Sequence, residues 1–145
     1  ISRGKPMTLR LRVPDPEKAK SLMQAAERDM KFVLALPVSL DSGQTIVSRI
    51  YENFRALGYA HLLLQGKETY GEGHHREMIE SLFDLNTNTE RSIRVLINLK
   101  NLRKNVNYNG YIPTIAEIED SRDIAKQLFK ALIAAIKTRF KKYFL

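Results

Sequence analysis

IVSRIYENFRALGYAHLLLQG, residues 46–66, decides the fold. Ile46, Ile50, Phe54, Leu57, His61 and Leu64 recur at three- and four-residue spacing, the repeat that gathers side chains on one face of a helix. Gly66 is a natural stop, because a residue without Cβ accepts the left-handed conformation that ends helices. The spacing predicts a helix that follows DSGQT (41–45) and runs to about Gln65. Upstream, Asp15 and Pro16 suit a cap and a first turn. Ala19, Leu22, Met23, Ala26, Met30, Val33 and Leu34 then mark a first helix that Pro37 stops.

Downstream, the turn KETYGEG leads to HHREMIESLFDL, a short third helix with Met78, Ile79, Leu82 and Phe83 on one side. Thr87–Glu90 has the residues of a capping box, a Thr and a Glu three positions apart. It predicts the start of a fourth helix carrying Ile93, Leu96, Ile97, Leu99, Leu102 and Val106, ended by Asn107, Asn109 and Gly110. A second box, Thr114–Glu117, opens a fifth helix with Ile118, Ala125, Leu128, Phe129, Leu132, Ile136 and Phe140 inward. Thr8–Val13 alternates like a strand, but no second strand is evident to pair with it. Residues 1–14 therefore read as an extended N-terminal arm. The residues ahead of Met7 read equally as native chain or as an expression remnant, and they bear no signal-peptide pattern. The expected fold is all-α: an antiparallel up-and-down bundle of four long helices plus one short one, a single domain over residues 15–145.

A chain of 145 residues can bury roughly two-thirds of its unfolded surface without staples. It has no cysteine, so disulfides and thiolate metal sites are excluded, and a cytoplasmic location is the expectation. No apolar run approaches the roughly 18 residues of a membrane span. The net charge of +8 is lopsided: residues 1–84 hold 12 basic and 11 acidic side chains, residues 85–145 hold 12 and 5. That asymmetry points to an anionic partner, or to a solvated face that keeps the chain dispersed.

LRKNVNYNGY, residues 102–111, concentrates the candidate chemistry. Lys100, Arg103, Lys104 and Asn107 share one helix face, with Asn105 and Tyr108 beside them. An arginine offers a planar fork of donors for phosphate or carboxylate. The amides suit base edges, and the phenol ring can stack on a base. The same residues also read as a polar helix end whose cations answer the macrodipole. His61 lies on an apolar stripe and reads as a packed, hydrogen-bonded histidine. His74 and His75 are secondary candidates. His74 and Glu77 stand at metal-ligand spacing, but no further ligand joins them, so neither a metal nor a cofactor is expected. The cations Lys137, Arg139, Lys141 and Lys142 at the far end match the dipole of the last helix.

The order of elements resembles the HEPN superfamily of small helical bundles. Two stretches carry the likeness, LLLQGKETYGEGHHREMIESL and LKNLRKNVNYNGYIPT, within about residues 17–140. The resemblance implies a homodimer whose polar clusters meet across the interface. It implies nucleotide or RNA as ligand and, in some members, a toxin paired with a nucleotidyltransferase. Active members are metal-independent ribonucleases bearing an arginine followed, about four to six residues on, by a histidine. Here Arg103 matches, but Tyr108, Asn109 and Gly110 stand where the histidine belongs. A phenol with a pKa near 10 is a poor base. The expectation is a non-catalytic binding module. The alternatives are a ribonuclease toxin using His74 or His75, and the protein-binding half of a toxin–antitoxin-like pair.

Overall fold

The central element is α2 (Leu40–Leu64), and the rest of the chain is arranged around it. The computed structural model describes residues 9–71 and 74–145, with His74 described by its backbone alone. Most of the N-terminal arm, residues 1–8, and the His74 side chain thus lie outside the described residues. Among the described residues the structure is 72% helical, with five helices and one two-stranded sheet, so the fold is mostly α.

In α1 (Pro16–Leu34), Asp15 accepts from the Lys18 backbone N–H at 3.1 Å, and the first position is proline. α2 begins six residues earlier than DSGQT suggests. Its cap is Ser39, whose hydroxyl and that of Ser42 satisfy each other's backbone N–H groups. Asp41, Ser42 and Gly43, which resemble loop residues, are therefore helical. Gly43 is tolerated because its missing side chain makes room for Ile118: a Cβ there would lie 2.4 Å from the Ile118 Cδ1.

The N-terminal alternation is a strand with a partner. β1 (Leu9–Leu11) pairs antiparallel with β2 (Lys67–Thr69), setting Leu9 against Thr69 and Leu11 against Lys67. Glu68 receives both Arg10 (2.7 Å) and Arg12 (3.3 Å), so the pairing is fixed by charge as well as backbone. The expectation of an unpartnered arm and no strands fails because three residues are too few for a periodic signal.

α3 (His74–Glu80) passes directly into a 3₁₀ turn, Ser81–Asp84. It crosses α2 at Gly58, where an added Cβ would meet the Met78 carbonyl oxygen at 1.8 Å. The Ser81 hydroxyl reaches the Gly58 and Met78 carbonyls at 3.1 and 2.8 Å, fastening the crossing.

The predicted start of the fourth helix is also corrected. α4 spans Val95–Asn109, behind Arg94, which makes no side-chain cap. Thr87 and Thr89 instead bond each other, and Thr89 donates to the Arg91 carbonyl (2.7 Å). Arg91 then ties this stretch to Asp120 and Asp123, so it is held by the neighbouring helix rather than by a helix start. The other end agrees with the reading: Gly110 is left-handed (φ 64°). α5 (Ile115–Arg139) opens on the Thr114–Glu117 box as predicted.

The core runs along α2, from Ile46 through Phe54 and Leu57 to Leu64. It is covered by Met23, Met30 and Val33 of α1, Leu96 and Leu99 of α4, and Leu128 and Leu132 of α5. Phe54 meets Phe129 edge-on at 5.6 Å. Ile97, predicted to face inward, is 40% exposed instead. No helix among the described residues is long and apolar enough to cross a membrane.

Gly58→Ala gains about 1 kcal/mol of helix propensity but must push α3 off α2. The expected outcome is a net loss of about 2 kcal/mol, seen as a fall in the melting temperature of about 5 °C or more.

Candidate functional site

The end of α4 lies against the stretch Ser48–Arg55 of α2, and this contact divides the predicted cluster into two parts. Arg103 and Asn107 turn toward α2. The Arg103 Nη2 donates to the Glu52 Oε2 at 2.7 Å, with the guanidinium 5.1 Å from the Tyr51 ring centre. Only 17% of the Arg103 side chain is exposed. The Asn107 amide faces the Ser48 hydroxyl at 3.0 Å. With its Nδ2 on that side, its Oδ1 also accepts from the Arg103 Nε (3.1 Å) and Nη2 (3.2 Å), so the neighbours favour that orientation.

Glu52 is shared. Its Oε1 takes Arg55 from the same helix at 2.7 Å, and the Arg55 Nη1 reaches the Met78 sulfur at 3.4 Å. Two guanidiniums thus converge on one carboxylate, leaving a net positive charge at the surface of the cluster. Burial, chiefly, raises the Tyr51 phenol above its ordinary pKa, although Arg103 pulls the other way. Tyr51 therefore stays a neutral platform.

The other part faces outward. Lys100 is half-buried and Lys104 exposed, and neither has an ion pair among the described residues. Tyr108 is 73% exposed. These three recur every four residues, so they form a strip along the helix. Asn105 is used by the helix end: its carbonyl accepts from the Tyr111 N–H at 3.2 Å and its side chain from Asn109. In the turn into α5, Tyr111, Ile112 and Ile115 are each at least 38% exposed, as is Leu40 at the start of α2. The Gln44 side chain, bonded to the Tyr111 carbonyl at 3.0 Å, ties this corner to α2.

Arg103, expected to grip an anionic ligand, is paired with Glu52 of its own chain. Sequence reasoning also missed Ser48, Tyr51, Glu52 and Arg55. The signal was present, since Ser48, Glu52 and Arg55 form a polar line along a helix whose buried faces are largely apolar.

His61 is fully buried and takes an Arg139 Nη1 hydrogen bond at its Nε2 (2.9 Å), with Gln65 alongside. It is the packed, hydrogen-bonded histidine its sequence position suggests. Desolvation first, and Arg139 second, lower its pKa from 6.5 to about 4. His75 is half-buried on α3 and engaged with its surroundings. Among the described residues no three His, Asp or Glu side chains gather as metal ligands.

Comparison with protein-family models, characterised proteins and solved structures finds no match to this chain.

Two outcomes are expected. In a double-variant cycle of Arg103→Met and Glu52→Gln, urea unfolding should give a coupling of about 1 kcal/mol, because the pair is largely but not fully withdrawn from water. The second concerns acid. Below pH 6.5 the unfolded His61 takes a proton and the folded one does not, until the pH nears 4. Stability should therefore fall by about 3 kcal/mol as the pH drops through this window. His61→Gln should flatten that part of the pH–stability curve.

Proposed function

We propose that this chain is a HEPN-like helical module that binds nucleotide or RNA through the end of α4 without cutting it. The observation that carries the reading is the outward strip Lys100–Lys104–Tyr108, without an ion pair among the described residues and backed by an immobilised Arg103. The lysines supply point charges for phosphates, and the phenol ring supplies a stacking surface. Arg103 adds a fixed positive field while its fork is held by Glu52. Arg103 itself cannot take a proton from a ribose hydroxyl, because a guanidinium stays charged near neutrality.

The remaining expectations belong to the same proposal. Five-residue connections join α1 to α2 and α4 to α5, which suits antiparallel neighbours in an up-and-down bundle. The exposed apolar side chains of Leu40, Tyr111, Ile112 and Ile115 support a homodimer, since exposed apolar surface marks an interface. A two-fold contact there would bring two α4 strips to one seam. Pairing with a nucleotidyltransferase rests on the resemblance alone.

A second reading, a metal-independent ribonuclease, has one observation in its favour. The chain of contacts Arg103–Glu52–Arg55–Met78 runs from the cluster to α3, the helix that His74 and His75 open. RNA cleavage in the presence of EDTA, abolished by His75→Ala, would establish it over the binding reading.

The binding reading is tested by fluorescence anisotropy with single-stranded RNA and with ATP. Lys104→Ala should weaken RNA binding about tenfold and lower the salt slope by about 1. Tyr108→Ala should cost about 1–3 kcal/mol through lost stacking. Binding that ignores both substitutions would overturn the proposal. Ile112→Glu, followed by light scattering, should convert a dimer to monomer.

A further inference from the structure

A groove that no residue of the α4 cluster lines lies between α1 and α5 and has no part in the α4 site. α1 and α5 both pack on α2 and scarcely touch each other, which leaves a groove of about 830 Å3 between them. Met30, Leu34, Ala125 and Phe129 line it with apolar surface. Four cations stand along its walls, Arg28 and Lys31 on α1 and Lys126 and Lys130 on α5, against a single carboxylate, Glu27. All four cations are exposed, and none has a hydrogen bond, ion pair or ring contact among the described residues. Elsewhere the chain pairs its arginines: Arg10, Arg12, Arg49, Arg55, Arg91, Arg103 and Arg122 each meet a carboxylate. Here unanswered charge stands on both walls of an apolar channel. One end is bounded by Arg122, which reaches from α5 to the Leu34 carbonyl at 3.2 Å.

We propose that this groove docks an acidic amphipathic helix of a partner protein. Apolar side chains at i, i+3 or i+4, and i+7 would fill the channel, and flanking carboxylates would meet the cations on either wall. A second copy of this chain is the wrong occupant, since two such basic rims repel. Nucleic acid would answer the rim but leave the apolar channel unfilled, whereas an acidic helix satisfies both. The spacing within each wall helps: Arg28 and Lys31 are three residues apart and Lys126 and Lys130 four, so each pair projects from one side of its own helix.

The test uses the full chain and a defined probe: a fluorescent helical peptide of about four turns, leucine on one face and glutamate on the others. A second peptide carries glutamine for glutamate. Binding is followed by anisotropy and by [13C-methyl]methionine NMR, in which Met30 reports from the groove and Met78 from α3. The expected result is binding of the acidic peptide at micromolar concentration, with the Met30 methyl shifted and Met78 unmoved. Lys31→Glu combined with Lys130→Glu should weaken it at least tenfold, with the circular dichroism unchanged. The glutamine peptide should also bind at least tenfold more weakly. The proposal is overturned by absence of binding, by equal affinity for the charge-reversed variant, or by shifts at Met78 without Met30. It is overturned equally if single-stranded RNA shifts Met30 more tightly than the acidic peptide does. The Lys104 and Tyr108 substitutions should leave peptide binding intact, so failure of this site and failure of the α4 site are separable.

Discussion

Because α2 is enclosed by α1, α3, α4 and α5, a polar side chain on its covered faces needs a matching group nearby. A buried polar group without a partner costs about 1–3 kcal/mol, and an unpaired charge costs more. Asn53 donates to Asp29 of α1 at 2.9 Å, and Arg49 pairs with the same carboxylate, which lowers the Asp29 pKa. His61 finds Arg139 of α5. Glu52 finds Arg103 of α4. Each match is made at one position along the helix, so the polar residues of α2 set how far its neighbours can slide. The apolar residues supply most of the attraction but specify register weakly, since many apolar packings are close in energy.

This places the candidate site in a different light from a surface cluster that happens to be basic. Arg103 has a structural duty, and its orientation follows from the register of α4 against α2. The residues free to meet a ligand are those one step around the helix, Lys100, Lys104 and Tyr108. Fixing the guanidinium while leaving the lysines mobile separates a constant local field from adaptable contacts. Such a division suits recognition of a repeating phosphate backbone better than recognition of one rigid anion.

Helix existence was legible wherever the apolar repeat ran for several turns, as along Ile46–Leu64 and Ile118–Ile136. The ends were legible where a side chain does the capping, as at Asp15 and Thr114. They were misread where similar residues serve another purpose. Thr87 and Thr89 look like a cap and instead bond each other, while Asp41–Gly43 look like a turn and are helical because Ser39 and Ile118 make them so. The six residues of the α4 cluster were visible because polar residues crowd into two turns. Their division into an inward and an outward part was not, since it depends on Glu52, 51 residues away. The sheet escaped notice because the alternation at Thr8–Val13 had no visible partner: β2, Lys67–Thr69, is too short for any alternation to reveal.

The short sheet has a mechanical meaning. β1 joins β2 through a three-residue register, and just beyond it the Arg12 N–H bonds the Gly66 carbonyl and the Asp15 N–H the Leu63 carbonyl. A pull on the chain ahead of Leu9 would meet these bonds, and the Arg10 and Arg12 pairs with Glu68, first. Tension would peel the strand away before it reached the α1–α2 joint, so whatever is tethered in front of β1 can tug at the molecule without first prying its helices apart.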